Sequence, residues 1–130
     1  MTLKELCTGI QHIGIPTGNM GATLVFYKEL GFEIVHSNTI PDTTNQVFFL
    51  QLHNIVIEAY EDDNPAMVYG AIEHIALDVS DIEETYQMIC DKNLNTLNDT
   101  IHNLPFWDKG IKYFIIEGPN KEKVEFNQIV

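Results

Sequence analysis

Apolar and polar positions follow the same order twice along this chain. Each pass begins with a short alternating run, continues with an apolar stripe at helical spacing, and ends in runs of β-branched and aromatic residues. The first pass predicts a helix that begins after Gly18 and Asn19 and ends at Gly31, and strands at about residues 10–16, 32–36, 46–52 and 55–60.

The second pass follows a polar linker at residues 61–70. An offset of 62 carries His12 to His74 and Gly31 to Asn93, and glycine and asparagine both tolerate the left-handed end of a helix. Ser80 and Glu83 predict a capping box for this second helix, which extends to about Lys92. Three strands complete the pass at residues 94–97, 111–117 and 123–128, with a long loop through residues 104–110.

This internal duplication decides the fold class, because each half exposes one sheet face that must be covered. We expect an α+β fold of two βαβββ modules, at about residues 8–60 and 71–130, in one domain of 130 residues. Residues 1–9 form a loosely held lead-in, in which Leu3 and Leu6 fit a short helical turn.

Composition narrows the functional classes. The net charge is −12 and all seven basic residues are lysine, which argues against nucleic acid as a partner. No apolar run has the length of a membrane helix and no export signal stands at the N-terminus, so we expect a soluble, cytoplasmic protein without a membrane partner. Two cysteines are too few for a disulfide framework.

Four residues at equivalent places in the two passes are candidate metal ligands. His12 and His74 stand in alternating runs, each followed two residues later by a small residue. Glu58 and Glu125 each interrupt the apolar pattern of the last strand of a module. Any one of these alone is more often a packed histidine or a solvent-facing glutamate, but four at matched positions favour a joint role.

Two imidazoles and two carboxylates suit one divalent first-row ion, such as zinc, nickel, cobalt, iron or manganese. Such an ion polarises adjacent oxygens, and a glutamate that moves off it can accept a proton. Phe106, Trp107 and Lys109 are candidate residues of a substrate pocket, although plain packing explains the aromatic pair equally well. The other histidines lack repeat partners and are predicted at surface turns or strand ends: His36, His53 and His102.

The chain resembles the vicinal oxygen chelate superfamily, the glyoxalase, bleomycin-resistance and dioxygenase group, over nearly its full length. The resemblance is carried by QHIGI, FYKELGF, VIEAY, EHIALDV and GPNKEKVEF. It implies a cupped, partly open eight-stranded mixed sheet, with one divalent metal held by His12, Glu58, His74 and Glu125. Glutamate at both acidic positions is most similar to glyoxalase I, the lactoylglutathione lyase.

The function that this resemblance implies is proton transfer within a metal-chelated small substrate, such as a 2-oxoaldehyde–thiol hemithioacetal. Glu125, rather than Glu58, is the expected base. The alternatives are a methylmalonyl-CoA-type epimerase, which usually carries glutamine at the position of Glu58, and a non-catalytic antibiotic-binding protein, which generally lacks the ligands. The absence of arginine argues against glutathione as the thiol. Related proteins usually form homodimers, with each site inside one chain or across two.

Overall fold

The computed structural model describes residues 1–130 as two compact units, Met1–Pro65 and Ala66–Val130. The boundary lies within the polar linker. Each unit contains one four-stranded mixed sheet and one ten-residue helix, in the order βαβββ. The α+β class and the two βαβββ modules are therefore confirmed.

Unit 1 packs its helix on one face of its sheet. The first and last strands are parallel and adjacent, and the other pairs are antiparallel, so the order across the sheet is first, fourth, third and second strand. Tyr27 of the helix, Leu50 and Ile57 are at most 1% exposed and form the centre of the core. The elements are α1 Leu3–Leu6, β1 Ile13–Thr17, α2 Met20–Glu29, β2 Glu33–Thr39, β3 Gln46–Leu52 and β4 Ile55–Glu61.

Unit 2 repeats this arrangement, and its four strands lie in the same order across the sheet: first, fourth, third and second. Phe114, Ile116, Val124 and Phe126 point to the helix side of the sheet and are buried. The helix is tied to the last strand by a hydrogen bond from the Ile82 amide to the Gln128 side chain, 2.8 Å long. The elements are β5 His74–Asp78, α3 Ile82–Asp91, β6 His102–Leu104, β7 Ile111–Glu117 and β8 Lys123–Ile129.

The ends of both helices agree with the sequence pattern, except for one cap. Gly31 and Asn93 adopt left-handed conformations, with φ of 100° and 58°, directly after their helices. The predicted cap Ser80 is wrong by one residue. Asp81 caps α3, because its carboxylate accepts the Glu84 amide at 3.0 Å and the helix begins at Ile82.

Strand β6 is not at residues 94–97, where the sequence predicts it. There the Asn95 side chain bonds the amide and the carbonyl of Asp99, each at 3.0 Å, and closes a loop. Asn98 in this loop has φ of 53°. The edge strand begins only at His102, after the loop.

The structure confirms the predicted positions of some of the five histidines and corrects those of the others. His74 opens β5, but His12 lies one residue before β1, so it flanks the strand rather than belonging to it. His53 lies on a turn and His102 at a strand end, as expected. His36 was expected at a turn or strand end and lies within β2 instead. None of the helices is long and apolar enough to cross a membrane.

Candidate functional site

Each sheet has one face covered by its helix and an opposite face, which we call the distal face. In unit 1 the strand register places Gly14, Glu58, Phe49 and His36 in one row across this face. In unit 2 the corresponding row contains Ala76, Glu125 and Ile115. Both predicted glutamates therefore lie on distal faces, each beside the small residue that follows a predicted histidine by two positions.

The acidic residue of unit 1 lies beside Gly14, which has no side chain. A β-carbon added to Gly14 would lie 3.9 Å from Glu58 Oε1 and 3.6 Å from the Tyr60 ring, which is ordinary contact. The His12 ring meets the Phe49 ring edge-on at 5.8 Å, and its Nδ1 lies 3.0 Å from Gln11 Oε1. No side chain or amide of the protein donates a hydrogen bond to Glu58.

In unit 2 the predicted histidine and glutamate lie within 4 Å of each other, and each has a further polar neighbour. His74 Nε2 lies 3.7 Å from Glu125 Oε1, and His74 Nδ1 lies 3.3 Å from Glu73 Oε1. The Asn127 amide group donates to Glu125 Oε2 at 3.0 Å. The Glu125 side chain is 13% exposed, against 42% for His74, so the carboxylate is the shielded member of the pair.

A chain of polar contacts extends from His74 along the distal face of unit 2. Lys123 Nζ lies 3.7 Å from Glu73 and 4.1 Å from the centre of the Tyr69 ring. The Tyr69 hydroxyl donates to Glu117 at 2.7 Å, which raises the pKa of Tyr69 and lowers the pKa of Glu117. Lys121, 3.2 Å from Glu117, lowers that pKa further.

The donors of unit 2 fit a divalent ion. Two donors that each lie about 2.1 Å from one ion are at most about 4.2 Å apart, so the 3.7 Å pair needs little movement to share it. In both units the residue before the histidine contacts Nδ1, which leaves Nε2 as the ring nitrogen available to an ion. Within neither unit do three or more His, Cys, Asp or Glu side chains gather in a metal-binding group.

The predicted pocket residues divide into two groups. Phe106 and Trp107 project from the loop after β6, with 54% and 75% of their surface exposed. Lys109 lines a cavity of about 540 Å³ together with Leu104, Ile111 and Lys112. The wall of this cavity is thus built from strand ends and the lysine, not from the aromatic pair.

Sequence reasoning missed several neighbours of the predicted ligands. Gln11 and Glu73 each precede a predicted histidine, and the 62-residue offset that relates the histidines also relates them. A search for polar residues at matched positions would therefore have found this pair. Asn127 and the contact of His102 with Asp99 have no counterpart in unit 1, so no repeat signal points to them.

The sequence pattern of the Glyoxalase/Bleomycin resistance protein/Dioxygenase superfamily matches residues 9–126. The chain belongs to this superfamily. It is 32% identical to the Bacillus subtilis (strain 168) protein YwbC over 126 residues, which cover 92% of this chain and 96% of YwbC.

Two solved structures of this superfamily's fold illustrate the match. A glyoxalase family protein from Enterococcus faecalis superposes with a TM-score of 0.72 at 23% identity, covering 94% of this chain and 98% of its own. The fosfomycin resistance protein FosX from Listeria monocytogenes, solved with Mn(II) and sulfate, superposes with a TM-score of 0.69 at 14% identity, covering 95% and 94%. At these identities the likeness concerns the fold alone. FosX thus contains a divalent metal in its structure, and the superfamily includes many enzymes.

Proposed function

We propose that this protein is a metal-dependent lyase or isomerase of the glyoxalase I type. It moves a proton within a small substrate that presents two adjacent oxygens, such as a 2-oxoaldehyde–thiol hemithioacetal. The observation that carries the proposal is the His–Glu pair on unit 2, in which Nε2 and Oε1 lie 3.7 Å apart, with the equivalent residues His12 and Glu58 repeated in unit 1.

The proposed metal ligands are His12, Glu58, His74 and Glu125, contributed by one chain or by two copies in a homodimer. Their mixed nitrogen and oxygen donors suit nickel, cobalt, zinc, manganese or iron. When bound, the ion supplies positive charge beside the substrate oxygens and so acidifies the neighbouring C–H bond. In unit 2, the contacts of Glu73 with the imidazole and of Asn127 with the carboxylate support this role, because such partners orient metal ligands.

The two glutamates have different surroundings, and we assign them different roles. Glu125 accepts a hydrogen bond from Asn127, which restrains it. Glu58 has no such anchor and faces the space above Gly14. A base that removes a proton from one carbon and returns it to the next must move between them. We therefore favour Glu58 as the base, in place of Glu125.

Charge on the distal face bears on the choice of substrate. Lys121 and Lys123 are engaged by Glu117 and Glu73, and the chain has no arginine. Beside the proposed ligands, a carrier with several phosphates or carboxylates therefore meets only lysines that already have acidic partners, and Lys109 and Lys112 lie further along the sheet at the cavity. This favours an uncharged thiol carrier and the lyase over the acyl-CoA epimerase.

The test begins with the purified protein and its metal content, followed by turnover of methylglyoxal with several thiols and of methylmalonyl-CoA. Isomerisation of a hemithioacetal that depends on added divalent metal is the expected result. Turnover of the CoA ester alone would move the assignment to an epimerase. A protein that binds no divalent metal would refute the proposed site.

A further inference from the structure

A second histidine on the distal face of unit 2 is held by a carboxylate. His102 Nε2 lies 2.6 Å from Asp99 Oδ1, and the ring lies against the Tyr113 ring, with centroids 5.2 Å apart. Asp99 is itself fixed, because its other oxygen accepts the Ile115 amide at 2.8 Å and its backbone is held by Asn95. The His102 ring is thus supported on two sides.

The strand register places this histidine near the proposed metal ligands of the same sheet. His102 pairs with Tyr113, and Tyr113 pairs with Asn127, the residue that holds Glu125. Strands lie about 4.8 Å apart and residues about 3.3 Å along them, so His102 stands roughly 12 Å from Glu125 across the face. The next pair of these strands on the same face, Leu104 and Ile111, lines the 540 Å³ cavity.

The hydrogen bond to Asp99 determines what His102 can offer a ligand. Burial raises the pKa of Asp99, but hydrogen bonds from His102 and from the amides of Ile115 and Thr100 outweigh it and lower that pKa overall. An ionised Asp99 requires a proton on Nε2, which leaves a lone pair on Nδ1 in the neutral ring. The His102 side chain is 44% exposed, and its Nδ1 has no partner in the protein.

We infer that His102 is a second substrate-contacting residue, whose Nδ1 accepts a hydrogen bond from an amide N–H of the thiol carrier, with Asp99 as its positioning residue and Tyr113 as a ring on which the carrier lies. This inference rests on the proposed function, since it places the reacting end of the substrate at His74 and Glu125. The substrate class is an uncharged, amide-containing thiol adduct about 12 Å long, a length set by the strand spacing.

The experiment compares two thiols that differ in their amides. Methylglyoxal adducts of pantetheine, which carries amides, and of 2-mercaptoethanol, which carries none, are assayed with the wild type, His102→Phe and Asp99→Asn. One lost hydrogen bond corresponds to roughly a tenfold change. His102→Phe should therefore raise KM for the pantetheine adduct about tenfold without changing kcat, and should leave KM for the other adduct unchanged. Asp99→Asn should show a smaller rise with the same selectivity.

His53→Asn is the matched control, because His53 lies on a turn with φ of 51°, which asparagine tolerates. It should leave both KM values unchanged. Equal KM changes for the two adducts in His102→Phe would overturn the inference.

A readout without turnover separates this inference from the proposed function. Pantetheine is titrated into wild-type protein with ¹⁵N-labelled histidine, and the imidazole signals are followed. A shift of the His102 signal with pantetheine but not with 2-mercaptoethanol supports the inference even if no adduct turns over, in which case only the lyase assignment fails. No shift of His102 overturns the inference, whatever the activity.

Discussion

The two His–Glu pairs occupy equivalent places in the two units but differ in their support. In unit 2, Glu125 is held by Asn127 and lies 3.7 Å from His74, whose other nitrogen faces a carboxylate. In unit 1, Glu58 lacks an anchor, and His12 is held by the neutral side chain of Gln11. The pair of unit 2 is therefore held in place by its neighbours, whereas the glutamate of unit 1 is free to change its position.

This difference indicates how a duplicated sequence can serve two purposes. A site that binds an ion and also moves a proton needs a fixed part and a mobile part. Asn127, two residues after Glu125 in the same strand, donates the hydrogen bond that anchors it. The corresponding residue two after Glu58 is Tyr60, which donates no hydrogen bond to the Glu58 carboxylate. A single divergent position thus accounts for the assignment of the two glutamates.

The largest expected effect is on turnover when the mobile carboxylate is neutralised. Glu58→Gln should lower kcat by about 1,000-fold, within the range for loss of a general base, and should weaken metal binding less than Glu125→Gln does, because the unanchored Glu58 is the ligand that leaves the ion during turnover. Steady-state kinetics and metal titration on one preparation measure both quantities. Glu33→Gln, an exposed carboxylate of β2, is the matched control and should change neither. A larger kcat loss in Glu125→Gln than in Glu58→Gln would reverse the assignment.

The next effect is on metal affinity in unit 2. Glu125→Gln removes a proposed ligand, and it should weaken divalent metal binding by at least about 100-fold, since even indirect partners are worth ten- to a hundredfold. Competition with a metal-sensitive chelator measures the affinity. Glu83→Gln on the exposed side of α3 serves as the control. An unchanged affinity would remove Glu125 from the site.

A smaller effect concerns the residues that hold the two imidazoles. Glu73→Gln should weaken metal binding about tenfold, because a carboxylate makes the imidazole a stronger donor than an amide does. Gln11→Glu gives unit 1 the same support as unit 2 and should strengthen binding. The same chelator competition reports both variants. An equal loss of affinity in Glu83→Gln, which removes the same charge at an exposed position away from the histidines, would show that Glu73 acts only through net charge.

The smallest effect is on stability in acid. The pKa values of Asp99 and Glu117 are lowered in the folded protein, and both residues lie in unit 2. A lowered folded pKa stabilises the fold above the unfolded value of about 4, and this contribution is lost as pH falls through the folded value. The urea concentration at the unfolding midpoint should therefore decrease as the pH is lowered below about 4. In Glu117→Gln this decrease should be less steep. A wild-type midpoint that stays constant to pH 3 would contradict this.

The repeat made most of the fold predictable from sequence. Both helices and the hairpin of β3 and β4 follow from apolar periodicity and from the turn residues at their ends. Strand β6 was misplaced because its three residues, HNL, carry no strand pattern, whereas residues 94–97 contain two leucines. The hydrogen bonds of the Asn95 side chain to Asp99 make residues 95–99 a loop, and strand propensities do not include such bonds.

The candidate site was predictable only as far as the duplication reached. His12, Glu58, His74 and Glu125 were found because they recur at matched positions. The contact of His102 with Asp99 depends on a loop present in one unit alone, so His102 looked like an ordinary surface histidine. The different support of the two glutamates is visible only in the folded structure, because it depends on whether the side chain two residues along the same strand reaches the carboxylate.

The most direct test of the central claim is the metal stoichiometry of the purified protein, measured by elemental analysis after dialysis against a divalent first-row metal. About one ion per chain is expected for the wild type, since each chain carries one set of four proposed ligands. No ion should be retained when His74→Ala and Glu125→Gln are combined. A wild type without bound metal, or a double variant that keeps its ion, would refute the four-ligand site.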